Sequence, residues 1–96
     1  VVTVMEDDGR IRGLDPRLDL RNHSPTGYAW GYGGSGPAQL ALAILCDALG
    51  DDARAELLYQ PFKDATVARF DRDGHWILAR NTVLDIVARL ESGASG

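Results

Sequence analysis

The sequence predicts a small α+β domain: an antiparallel sheet, made of an N-terminal hairpin plus a strand near residues 75–79, with three helices on one face. Three observations carry this. A β-branched opening run leads into an Asp-Gly turn signal, a glycine-rich loop feeds an almost unbroken apolar stretch, and two further stretches show helix-start signals. With 96 residues, 45% of them hydrophobic, the chain holds material for one modest core. Residues 1–92 are expected to form that single domain, and residues 93–96 a frayed end.

In chain order, Val1, Val2, Thr3, Val4 and Met5 read as a strand because β-branched side chains suit the pleat. Asp8-Gly9 is a two-residue hairpin signal, since both turn positions need positive φ, and residues 10–12 return as the second strand. Pro16 offers no N–H and restricts Asp15, so the ladder ends there. Leu18 and Leu20 alternate with Arg17, Asp19 and Arg21, which predicts a short extended piece with one face inward. Residues 22–27 are a loop by composition. The run Gly31-Tyr32-Gly33-Gly34-Ser35-Gly36-Pro37 is then bracketed by Tyr28, Trp30 and Tyr32, a pattern that predicts rings packed over bare backbone. A Val at Gly33 or Gly34 is therefore expected to unfold the domain before it impairs any ligand contact.

Pro37 suits a first helical turn, with Ser35 or Gly36 as N-cap. Residues 38–49 are apolar apart from Gln39 and Asp47, so this helix should be buried and central. Gly50 ends it in the left-handed conformation, and Asp51 or Asp52 caps the next helix. That second helix is expected over 52–70, with Leu57, Leu58, Phe62, Ala65 and Ala68 or Arg69 on its inner side. Pro61 removes one hydrogen bond and clashes with the preceding turn, at about 3 kcal/mol, which predicts a kink or break. Residues 71–74 form a turn and 75–79 a strand that joins the hairpin. Thr82 and Asp85 make a capping box, and Val83, Ile86, Val87 and Leu90 the apolar face of a last helix.

Charge and composition limit the function classes. A formal charge of -4 and a pI near 4.9 argue against a nucleic-acid or anionic-membrane surface, whose affinity comes from clustered cations. The nine Arg and the single Lys63 are scattered, and their ratio fits a high-GC coding bias better than arginine chemistry. Cys46 has no partner for an internal disulfide and sits in the apolar run, so it reads as a packed thiol. No apolar stretch reaches the roughly 18 residues of a membrane span, and no signal segment opens the chain. The expectation is a soluble, cytoplasmic protein.

Gly31-x-Gly33-x-x-Gly36 formally matches a dinucleotide-binding fingerprint. That fingerprint has meaning only inside a βαβ unit, and here a second helix follows the first. The Lys and the hydroxyl residue of a P-loop are also absent. Three readings of the loop stay open: a structural turn, an anion or nucleotide contact through Gly33, Gly34, Ser35 and Gly36, and a partner-binding loop. Ser35 or Ser24 with His23 and Asp19 supplies the residue types of a hydrolytic triad but no cleft. His23 and His75 lack metal-ligand spacing. No catalytic residue, metal or cofactor is expected. The paired carboxylates at turns and helix starts cap and solubilise, or offer an acidic face to a basic partner.

The run from Gly31 through Gly36, Pro37, Ala38, Gln39 and Leu40 to Ala43, followed by Tyr59-Gln60-x-Phe62-Lys63 and Trp76-x-Leu78, resembles an uncharacterised domain family of bacteria and their phages. It is number 6166 in the series of domains of unknown function. The resemblance spans residues 14–90, and Pro61 departs from it. It implies a mobile-element setting, in which small accessory proteins bind and inhibit host machinery. The expected function is thus a non-enzymatic, anti-CRISPR-like inhibitor that occludes a host or phage protein, as a monomer or weak homodimer with no nucleic acid or membrane contact. Its expected anchors are Arg21, His23, Tyr28 and Tyr32. The alternative is a small-ligand or anion binder that uses the glycine loop.

Overall fold

The computed structural model describes residues 2–6, 8–22, 28–71 and 74–93. Two short strands, β1 (Thr3–Met5) and β2 (Ile11–Gly13), pair antiparallel, with Val4 opposite Arg12. They are followed by helices α1 (Ser35–Leu49), α2 (Asp52–Ala65) and α3 (Arg80–Glu91). This is the α+β class that the sequence predicts.

The hairpin turn is one residue longer than the Asp-Gly signal implies. Met5 faces Ile11, so Glu6 faces Arg10; the Glu6 N–H donates to the Arg10 carbonyl (2.7 Å) and the Gly9 N–H to the Glu6 carbonyl (2.9 Å). Gly9 takes φ 88, as the αL position of a three-residue loop requires. The second strand therefore begins one residue later than expected.

Helix α1 is the hub. Leu40, Ala41, Leu42, Ala43 and Leu45 are all buried, and the helix packs against both α2 and α3. Gly34 is its N-cap, ahead of the expected Ser35 or Gly36, and Gly50 closes it at φ 62 with its N–H on the Cys46 carbonyl. Asp51 then accepts from the Arg54 N–H (3.2 Å) and starts α2. Helix α2 runs unbroken through Pro61 but stops at Ala65, short of Phe70, and a single 3-10 turn (Val67–Arg69) follows. The stop lies at Thr66, whose hydroxyl donates back to the Phe62 carbonyl (2.7 Å) and competes with propagation of the helix. The inner face of α2 is Ala55, Tyr59 and Phe62, spaced three and four residues apart, which leaves Leu57 on the opposite side, 79% exposed.

Two more expectations fail locally. Residues 18–20 form a turn rather than an extended piece, because Arg17 stands at φ 54 and the Leu20 N–H folds back to the Arg17 carbonyl. Helix α3 starts at Arg80, not at a Thr82 capping box. Its N-cap is Ala79, without a side-chain bond, and the Arg80 guanidinium ties the helix start to the Ala48 carbonyl on α1 (3.2 Å). Val83 and Val87 are buried as predicted, with Ile86 and Leu90 packed beside them.

Residues 75–79 form no ladder among the described residues; the sheet has two strands. Trp76 instead packs edge-on against Trp30 (5.7 Å, 79°) and stacks on Phe70 (4.8 Å, 26°), so its ring is held by aromatic partners outside the sheet.

Candidate functional site

A concavity of about 590 Å³ lies between the hairpin and residues 76–80, where a third strand was expected. Both strands of the hairpin line it, with Ile11 and Arg12 of β2 beside the residues of β1, together with residues 76–80 and with Ile44, Ala48 and Val83 of the helices. The volume falls within the range of ordinary ligand clefts, but the concavity is an open groove rather than a closed cavity.

The hydrogen-bond pattern of the hairpin determines what the outer edge of β1 presents. The Leu14 N–H reaches the Val2 carbonyl (3.3 Å) and the Glu6 N–H the Arg10 carbonyl, so by two-residue alternation Val2, Val4 and Glu6 bond toward β2. Thr3 and Met5 then point their N–H and C=O groups outward, and among the described residues nothing accepts or donates there. Across residues 76–79 burial alternates. Trp76 and Leu78 turn inward, Ile77 turns out at 98% exposure, and Ala79 is extended (φ -71, ψ 144). Met5 and Ile11, paired on the outer face of the hairpin, are 70% and 65% exposed. Exposed apolar side chains thus line the concavity, and the outer edge of β1 is open.

Charges sit at the ends. Arg12 is neutralised on both sides, by Glu6 and by Asp47 of α1, and this raises its already high pKa. Arg80 lines the groove with only a neutral carbonyl as its partner among the described residues.

The residues expected to anchor a partner lie elsewhere, around residues 14–22 and the start of α1. The Arg21 guanidinium is 3.3 Å from the Glu56 carboxylate. The Tyr28 hydroxyl donates to the Leu14 carbonyl (2.6 Å), and burial pushes its pKa up to about 12. Tyr32 is 41% exposed, with its ring over the loop: a Cβ on Gly34 would lie 2.5 Å from that ring, and one on Gly36 would lie 3.2 Å from the hydroxyl. The ring thus lies against Gly34 and Gly36, whereas a Cβ on Gly33 would meet nothing within 4 Å and Ser35 is exposed. His23 lies outside the described residues, as does Ser24.

Among the described residues, no group of three His, Cys, Asp or Glu is placed to hold a metal ion, and no helix is long and apolar enough to cross a membrane. Cys46 is buried, and desolvation raises its pKa to about 11. Met5, Ile11, Ile77 and Arg80 are the residues that sequence reasoning missed. The signal was present at Ile77: an apolar residue between inward-facing Trp76 and Leu78 must point outward whenever the segment is extended.

No curated protein and no solved structure matches the chain. Residues 1–89 match a family described as a family of unknown function, DUF6166, and this chain belongs to it.

Proposed function

We propose that the chain is a non-enzymatic protein-binding domain whose contact surface is the groove lined by the hairpin and residues 76–80. The observation that carries this is the exposure of Met5, Ile11 and Ile77 together around one concavity. Scattered apolar residues on a surface need no explanation, but a cluster rimming a cleft marks an interaction site. The specific form of the proposal is an inhibitor of a host defence complex, anti-CRISPR-like, that works by occlusion. It follows the mobile-element setting that the family resemblance implies.

The test is a plasmid-protection assay against the interference complex of the native host, run beside a pull-down with purified components. Wild-type chain should block interference. Ile77→Asp should lose the block with an unchanged melting temperature, since a side chain 98% exposed contributes little to packing. A wild-type chain that neither blocks nor binds the complex sinks the inhibitor form; full activity in Ile77→Asp sinks the groove.

A further inference from the structure

We infer that the chain self-associates through the outer edge of β1, two copies pairing antiparallel about a two-fold axis at Val4 so that their two-stranded sheets join into one. This goes beyond the protein-binding reading, because the occupant is a second copy of the chain itself. The first argument is backbone satisfaction. Thr3 and Met5 are both exposed, and their N–H and C=O groups point away from β2 with no bond among the described residues. Because these two residues flank Val4, an antiparallel copy of β1 sets Thr3 opposite Met5 of the second copy, and Met5 opposite its Thr3. Both pairs exchange N–H and C=O bonds, so every open group on the edge gains a partner and none is left over. Val4 then stands opposite Val4 of the second copy, a β-branched pair on the face that packs toward the core.

The second argument is charge, which separates the two edges of the hairpin. The outer edge of β2, at Ile11 and Gly13, carries no bond among the described residues either, but the same construction there sets Arg12 directly opposite Arg12 of the second copy. With Arg10 beside it, β2 bears the edge charges by which proteins discourage strand pairing. β1 has none from Val2 to Met5, and its nearest charge, Glu6, falls opposite Val2 of the second copy rather than opposite another acid. The exposed faces match as well. Met5 lies diagonal to Met5 of the second copy, within reach for so long a side chain, and Ile11 continues the apolar strip on each side. Because β2 is guarded at both margins of the joined sheet, the assembly closes as a dimer and does not propagate. Three residues make a short edge against the roughly 1,200 Å² that a stable interface buries, so the dimer is weak and concentration-dependent.

Sedimentation equilibrium of the full chain from about 10 µM to about 1 mM should show a monomer–dimer equilibrium, strengthened by salt because each copy carries a formal charge of -4. Over that range amide hydrogen exchange at Thr3 and Met5 should slow in step with the dimer fraction, while Val4, already bonded toward Arg12, stays constant. Met5→Lys sets two cations diagonally across the pair and should weaken association at least about fivefold. Its side chain is 70% exposed, so the melting temperature of the dilute protein should not change. Val4→Cys places thiols on Cα atoms about 4.5 Å apart and should form a disulfide-linked dimer on mild oxidation, whereas Thr3→Cys, opposite Met5, should not. Cys46 is buried, so the wild-type chain is the blank for both. A wild-type chain that stays monomeric at about 1 mM overturns the proposal. So does a dimer that Met5→Lys leaves intact, or one that Thr3→Cys cross-links as readily as Val4→Cys.

Discussion

Gln39 shows how one polar residue can organise an apolar helix. It is fully buried in α1, and its amide nitrogen donates to the carbonyls of Pro16 (2.5 Å) and Arg21 (3.0 Å), binding both ends of a turn-rich segment to the hub. Gln39→Leu keeps the volume but leaves those carbonyls without their donor, which should cost about 1–3 kcal/mol in urea denaturation. A loss below the error of that measurement would mean that water replaces the amide. The glycine loop divides at the same scale. A Cβ on Gly36 would stand 2.6 Å from the Ala29 Cβ and 3.2 Å from its backbone nitrogen, whereas one on Gly33 meets nothing within 4 Å. Gly36→Ala should therefore destabilise by about 1–3 kcal/mol through overpacking. Gly33→Val should be nearly neutral, a revision of the expectation from sequence, which treated Gly33 and Gly34 alike; only Gly34 lies against the Tyr32 ring. Thermal melts of the two variants side by side would reveal the contrast, and equal melting temperatures would contradict it.

At the scale of elements, what was legible followed strong local chemistry. The αL cap at Gly50, the Asp51 cap and the buried run of α1 could be read because each depends on residues close in sequence. The third strand, the end of α2 and the start of α3 could not. Each is decided by a distant partner or a competing local bond: Trp30 for Trp76, the Thr66 hydroxyl for the end of α2, and the Ala48 carbonyl for Arg80. The groove was illegible for the same reason, since it exists only because residues 75–79 fail to pair with β1. Pro61 is an intermediate case. It sits exposed inside a helix that continues past it, so the fold tolerates a missing bond to the Leu57 carbonyl. Pro61→Ala restores that donor and removes the ring clash, worth about 3 kcal/mol in a helix interior, against about 1 kcal/mol of extra freedom given to the unfolded chain. A net gain of about 2 kcal/mol is expected as a higher denaturation midpoint. A lower midpoint would mean that the helix is already adapted to the proline.

At the scale of the whole molecule, the irregular N-terminal half is held to the helices by ion pairs as well as by Gln39. Arg17, at φ 54, forks onto Asp19 and onto Asp52 at the start of α2 (2.8 Å), while Arg54 bridges α2 to Glu91 at the end of α3 (2.6 Å). The Arg17 guanidinium holds the carboxyls of Asp19 and Asp52 below the usual range, and Arg54 does the same for Glu91. A carboxyl with a lower pKa in the folded state than in the unfolded one contributes stability that is fully present above the unfolded value, near pH 4, and is lost as pH falls through the folded value. These pairs are exposed and screened by salt, so each contribution is small. Arg17→Ala should nevertheless be less stable than wild type at pH 7, and the two urea midpoints should converge as pH falls well below 4, where protonated carboxyls no longer distinguish them. The gap at pH 7 should also narrow in 1 M salt, where the Debye length is about 3 Å. A constant offset at every pH and salt concentration would instead assign the role of Arg17 to backbone geometry and side-chain packing, with the charge of its fork irrelevant to how the two halves are joined.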